Sequence, residues 1–429
     1  MSTTTLARRL GLGTLLFYGI GDILGAGIYV LVGKVAGIAG QSAWLSFLVA
    51  AALALITGLS YAELASRIPK SAGAAAFCAR AFQRYPLIPF LVGCLILASG
   101  ITSSATVALA VHGYLEVFLT ASPIVTAIGL IVLISLINFW GIQESANANL
   151  LMTLMEVSGL LLVIFVGLGV ARNLSGAEMA TRVTPDADWS AVMTGATLAF
   201  YAFIGFEDIV NLSEETKNPE RNVPRAILGA VAVTSVIYLI VVFVVLWTMT
   251  PVQAAASGRP LLEVLRLGAF PLPPWAFALV ALFSVSNTGL ANLVMASRLL
   301  YGMADGGLLP RSLTRIHPTR RTPHLAVLAA MALCILMVVT GTVQIMAQTT
   351  SLLLVSAFAF VHVSLMIVRR REPGSALVFR VPRAVPYLGV GLCLFLICRF
   401  PGAAYFRMAV VLATGSIVYF LFQRSKEKV

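Results

Sequence analysis

Asp22 and Glu156 lie inside two long apolar stretches, at roughly 10–36 and 146–171. An ionisable side chain in such a stretch faces the interior of a bundle, pairs with another polar group or holds a cation, and is a functional candidate by default. Three residues after Asp22 the first stretch reads Gly25-Ala26-Gly27-Ile28, where a membrane-crossing helix would carry large apolar residues. Glycine weakens the helix there. An unwound turn at mid-depth is tolerable only where its freed N–H and C=O groups are buried in protein or face a cavity or ligand. The N–H groups of the following half-helix would favour an anion such as a carboxylate. The carbonyls of the preceding half, near Ile23 and Leu24, would accept from an ammonium group. The two ends suit a zwitterion. The plainer reading of the same glycines is close helix packing.

A second interruption, Phe203-Ile204-Gly205-Phe206-Glu207, sits at similar depth in the sixth apolar stretch, 189–213. Its aromatics, with Tyr201, would cap a bound side chain, and carbonyls from Ala202 to Ile204 offer further acceptors for an amine. Paired interruptions in corresponding positions are the best sequence pointer to a transporter's binding site.

These residues require a bilayer around them, and the composition supplies one. The chain is 59% hydrophobic and 11% charged over 429 residues, against about 25% charged in soluble domains. Uninterrupted apolar stretches near the length of a bilayer crossing number about twelve. The expected fold is an all-α integral membrane protein. Short loops leave no room for a soluble domain, and the longest polar connections are roughly 172–188, 250–271, 304–322 and 369–383. Arg369-Arg370-Arg371 and the prolines after it separate a ten-helix core, residues 1–371, from two trailing helices in 372–429.

The net charge of +12 reflects topology rather than a nucleic-acid partner. With the N-terminus cytoplasmic, most Lys and Arg residues fall on inner connections, whereas Lys34, Arg172, Arg182, Arg259, Arg266, Arg399 and Arg407 fall on outer ones. That bias is the positive-inside pattern, and it places both termini in the cytoplasm. The five cysteines lack paired spacing and read as packing residues. His112 and His362 are isolated and read as packed polar side chains. No catalytic constellation, metal-ligand spacing or phosphate-cradling loop is present, so neither an enzyme nor a cofactor is expected.

Together the segments Gly25 to Leu31, Tyr61-Ala62-Glu63-Leu64 through Gly73, Phe203 to Pro224, and Ser286-Asn287-Thr288-Gly289-Leu290-Ala291-Asn292 through Ala304 resemble the amino acid-polyamine-organocation superfamily of transporters. The likeness is strongest to bacterial permeases similar to the cationic amino acid transporter branch, and it covers essentially the whole chain. It implies a five-plus-five inverted repeat with broken first and sixth helices and transport by alternating access. By that resemblance the substrate carboxylate meets the backbone of Gly25, Ala26 and Gly27, and the amine meets carbonyls at Ile23 and Ile204. Tyr201 and Phe206 are gating or side-chain contacts, and Phe203 and Asn292 further substrate contacts. Glu63, Glu207 and Glu214, nearer the inner face, suit a gate or a packing network rather than substrate contact.

Many relatives carry a lysine in the fifth helix where this chain has Glu156, and a small residue where it has Asp22. The reversal implies an external cation: a proton on Glu156, the positive side chain of a substrate, or a sodium ion shared by Asp22, Glu156 and Ser286. Pairing of the two carboxyls with each other or with Arg298 is the structural alternative. The expectation is a secondary amino acid transporter of the cytoplasmic membrane, proton-coupled or exchanging. Polyamine or other organic cation transport, and a sensor that binds without transporting, are its rivals.

Overall fold

In the computed structural model, residues 8–115, 118, 121–185, 188–257, 259–268, 273–339, 343–372 and 379–426 are described. Sixteen α-helices occur among them: α1 (Leu12–Ala39), α2 (Ala43–Arg67), α3 (Gly73–Ala81), α4 (Leu87–Leu115), α5 (Pro123–Trp140), α6 (Ile142–Ala171), α7 (Gly176–Thr181), α8 (Trp189–Ala199), α9 (Pro219–Thr248), α10 (Pro251–Ala256), α11 (Pro260–Leu267), α12 (Pro274–Asp305), α13 (His324–Val338), α14 (Val343–Arg371), α15 (Ala384–Ile397) and α16 (Gly402–Lys426). The chain is an all-α membrane protein. Among the described residues, ten segments are long and apolar enough to cross a bilayer, and the other two expected crossings, α13 and α15, are shorter apolar helices. At 1.5 Å per residue a 14-residue helix such as α15 spans only about 21 Å.

Two connections that read as polar loops are partly helical. The stretch 172–188 contains α7, whose Ser175 and Glu178 form a reciprocal capping box. The stretch 250–271 contains α10, capped in the same way by Thr250 and Gln253, and α11. Reciprocal caps satisfy first-turn N–H groups that a short helix cannot satisfy internally. Between α2 and α4 the chain forms α3, with Gly73 at φ +45° against Asn211.

Helix pairing repeats across two sets of five spans. The first set is α1, α2, α4, α5 and α6; the second is α8 with its continuation to Glu215, then α9, α12, α13 and α14. Exchange of the sets maps α1 on α9 to α8 on α2, α6 on α12 to α14 on α4, and α5 on α12 to α13 on α4. Five crossings are odd, so the second set begins from the opposite face. That is the geometry of an inverted repeat. The trailing helices lie outside it, α15 against α14 and α2, and α16 against α14 and α4. Phe406, Ile417 and Phe420 on α16 point away from the bundle, as lipid-facing side chains do.

Candidate functional site

The first interruption is a break in the backbone at one residue. Gly25, at φ −6° and ψ −156°, is not helical, and α1 continues on either side of it. A side chain at Gly25 would collide with the Thr288 hydroxyl of α12. At Gly27 a Cβ would sit 2.5 Å from Cα of Ala202, a clash with backbone that no rotamer relieves. The backbone at Ala26 is helical; its side chain lies outside the described residues.

The second interruption is longer. α8 ends at Ala199, Phe200–Phe203 tightens into a 3₁₀ turn, Ile204 is extended at ψ 142°, and Gly205 takes φ +128°. Only glycine adopts that φ without strain. A second 3₁₀ segment, Asp208–Glu215, completes the span. The Gly205 N–H donates to Oε2 of Glu207 at 3.0 Å. A Cβ at Gly205 would stand 2.9 Å from Cγ of Asp22. The two breaks therefore face each other, Gly27 against Ala202 and Gly205 against Asp22.

Tyr238 of α9 joins them. Its hydroxyl contacts the Ile23 carbonyl and the Ala202 carbonyl, the latter at 2.9 Å. One hydroxyl proton serves acceptors from both broken spans, and in this conformation the Ile23 carbonyl is already engaged. Sequence reasoning misses Tyr238, although a lone hydroxyl in the run Val236-Ile237-Tyr238-Leu239 is a detectable signal.

The buried carboxyls divide into two kinds. Asp22 is 2% exposed, and neither of its oxygens has a hydrogen-bond donor. It lies beside Asp208, with Glu207 nearby. One oxygen of Asp208 also lacks a donor. Glu156 accepts from the Ser284 hydroxyl at 2.5 Å through one oxygen, and its other oxygen has no partner. Ser286, expected to share a cation with Asp22 and Glu156, is half-buried; the serine bonded to Glu156 is Ser284. Nearby, Asn149 donates to Asn287 at 2.8 Å and Asn287 to Thr153 at 3.0 Å, while the Tyr29 hydroxyl reaches the Glu156 carbonyl at 3.1 Å.

Arg298 pairs with neither Asp22 nor Glu156. It is fully buried, lies 3.4 Å from Glu215, and donates to Asn138 and Ser297. Glu63 is saturated: it accepts from Arg67 at 2.8 Å, from Arg369, and from the Val381 N–H at 2.9 Å. That arrangement fastens α2 and α14 to the segment entering α15.

The expected side-chain contacts separate similarly. The Tyr201 hydroxyl is 3.4 Å from Ser103 of α4, and Tyr201 and Ile204 each keep 8% exposure beside the break. Asn292 donates to the Thr288 carbonyl at 2.9 Å and faces Gly100. Phe203 packs edge-on against Tyr238, with ring centroids 5.1 Å apart. Phe206 is buried between Tyr61 and Phe358, at 6.0 and 5.5 Å, which is a packing position. His362 sits between Ser60 at 2.9 Å and Thr57 at 3.3 Å.

A family model described as amino acid permease matches residues 10–422. The chain belongs to the amino acid permease family. The permease is 28% identical over 450 residues to the branched-chain amino acid permease BcaP of Bacillus subtilis (strain 168), covering 99% of this chain and 95% of that one. It is equally identical, 28% over 456 residues, to the methylthioribose transporter of the same organism, covering 98% and 94%. The chloroplastic cationic amino acid transporter 9 of Arabidopsis thaliana is 32% identical over 340 residues, covering 74% of the permease and 59% of the plant protein. The permease is a transporter, not an enzyme, and it is integral to a membrane.

Proposed function

We propose that the permease moves an amino acid across the cytoplasmic membrane by alternating access, with both termini in the cytoplasm. Residues 1–371 form the moving core, and 372–429 trail it. The observation that carries this reading is the direct apposition of the two broken spans, Gly27 on Ala202 and Gly205 on Asp22. Separation of these contacts frees the N–H groups after Gly25 for a carboxylate, and displacement of the Tyr238 hydroxyl frees Ile23 for an amine alongside Ile204. Tyr201 flanks that space. The packing of Phe206 supports an indirect role for it, through the aromatic cluster.

Overall similarity does not select the substrate side chain, since relatives of equal identity carry a branched-chain and a methylthioribose name. The carboxyls of Asp22, Asp208 and Glu156 support coupling to a cation, with a proton first, a cationic substrate side chain second and sodium third. Exchange and symport both satisfy this arrangement. The same unneutralised carboxyls favour one second reading, an organic cation lacking an α-carboxylate.

The test is uptake of labelled amino acids and polyamines into proteoliposomes, with wild type and Gly27→Val. Uptake that requires an α-carboxylate and is abolished by the valine is the expected result, because the added Cβ meets backbone. Normal uptake by Gly27→Val removes the site from α1, and binding without uptake makes the protein a sensor.

A further inference from the structure

At the junction of α5 and α6, away from the breaks at Gly25 and Gly205, lies a cavity of about 400 Å³ lined by Arg9, Trp140, Gly141, Ile142, Gln143, Glu144, Thr319, Arg320 and Arg321. We propose that it binds a phosphate-bearing anion, the headgroup of an anionic lipid or a soluble phosphate.

Three arginines and one carboxylate leave the lining positive, and among the described residues none of the three arginines forms an ion pair. Guanidinium groups match phosphate oxygens with paired N–H donors. The first turn of α6, a helix of 30 residues, opens on the same cavity, and its N-cap Gly141 offers no side-chain cap. The Glu144 carboxylate of that turn folds back against Gly141, its Oε2 within clash distance of where a Cβ there would stand, so the helix end already holds a carboxylate and the preference for an anion rests on the three guanidinium groups.

The site is held rigidly. Thr322 donates to the Phe139 carbonyl at 3.0 Å, His317 N–H to the Thr322 carbonyl at 2.9 Å, and Arg321 N–H to the His317 carbonyl at 2.9 Å. This closed loop sits on the end of α5. Arg321 takes φ +55°, a left-handed conformation that costs a non-glycine residue free energy. The Arg320 guanidinium lies over the Trp140 ring at 5.4 Å. The Arg9 backbone N–H donates to the Glu215 carbonyl at 2.9 Å, and its side chain is exposed. Trp140, 54% exposed at the end of a span, is the side chain that marks a membrane interface. Basic pockets between spans at that level suit anionic headgroups. A bound phosphate would link the segment before α1, the α5–α6 corner and the loop before α13.

The experiment uses the full-length protein in detergent. Native mass spectrometry measures retention of phosphatidylglycerol against phosphatidylcholine, and thermal unfolding measures the response to each lipid and to inorganic phosphate against chloride of equal ionic strength. Wild type should retain phosphatidylglycerol selectively, with retention reduced about tenfold or more in Arg320→Gln/Arg321→Gln. Arg370→Gln/Arg371→Gln, a neutralised pair elsewhere, should retain it normally. Stabilisation by inorganic phosphate without lipid selectivity, lost in the same double variant, supports the site and assigns it a soluble ligand. Equal retention in both double variants, or no discrimination by either probe, overturns the proposal.

Discussion

Glu63 and Asp22 are both carboxyl groups buried in spans of one bundle, and their surroundings are opposite. Glu63 accepts from two arginines and a backbone N–H. Asp22 has no arginine, lysine or backbone N–H donor and lies against the carboxyls of Asp208 and Glu207. A buried charge with every bond made is a structural solution, costly to break because removal of one partner strands the other. A buried carboxyl without donors gives the fold nothing that an apolar residue of similar size would not. Its free bonding capacity is available to a proton, a cation or a substrate. Burial alone therefore does not separate the two kinds of carboxyl in this permease; unfilled capacity beside a break in the helix does.

The largest effect that tests this contrast is on the Glu63 side. Glu63→Gln leaves Arg67 and Arg369, 4% and 12% exposed, without their counter-charge. It should cost about 3–5 kcal/mol of stability, seen as a lower thermal midpoint and loss of monodispersity. A variant as stable as wild type would show that the saturated network is not structural.

Tyr238→Phe comes next. It strands the acceptors at Ile23 and Ala202 and should destabilise by about 1–3 kcal/mol, while opening the breaks to ligand. The thermal midpoint and the half-saturation concentration for uptake are the measurements. An unchanged midpoint would mean that the hydroxyl does not hold the two spans together.

Glu156→Gln can keep its bond to Ser284, so its stability should stay within about 1 kcal/mol of wild type. Uptake under an imposed proton or sodium gradient is the sensitive readout. If rate, gradient response and selectivity all persist, Glu156 is a structural residue.

Asp22→Asn should have the smallest effect on stability, zero or slightly favourable, since it removes a carboxyl facing others. Its uptake should lose the response to the coupling gradient. A loss of stability comparable to that of Glu63→Gln would erase the distinction between the two regions.

Part of the site is legible in residue types and spacing alone. Gly25, Gly27 and Gly205 mark the breaks because glycine's weakness in a helix is local and travels with the residue. Asp22 and Glu156 stand out because charge in an apolar stretch is costly wherever the helix points. Ser286 reads as a sharer of a cation with Asp22 and Glu156, whereas the serine bonded to Glu156 is Ser284; two positions along a helix differ by about 200° around its axis. Phe206 reads as a ligand contact because sequence carries aromatic character without direction. Tyr61 and Phe358, from α2 and α14, supply that direction.

The sequence by itself determined the all-α membrane class, the approximate crossings and the two interruptions, since these follow from the length of apolar runs and the backbone freedom of glycine. Tertiary structure decided that Arg298 pairs with Glu215, that Tyr238 holds the carbonyls of both breaks, and that α7, α10 and α11 occupy expected loops. In an apolar bilayer nearly every face of a span can be apolar, so hydropathy carries little information about helix rotation. Which polar groups meet is fixed only when packing sets that rotation.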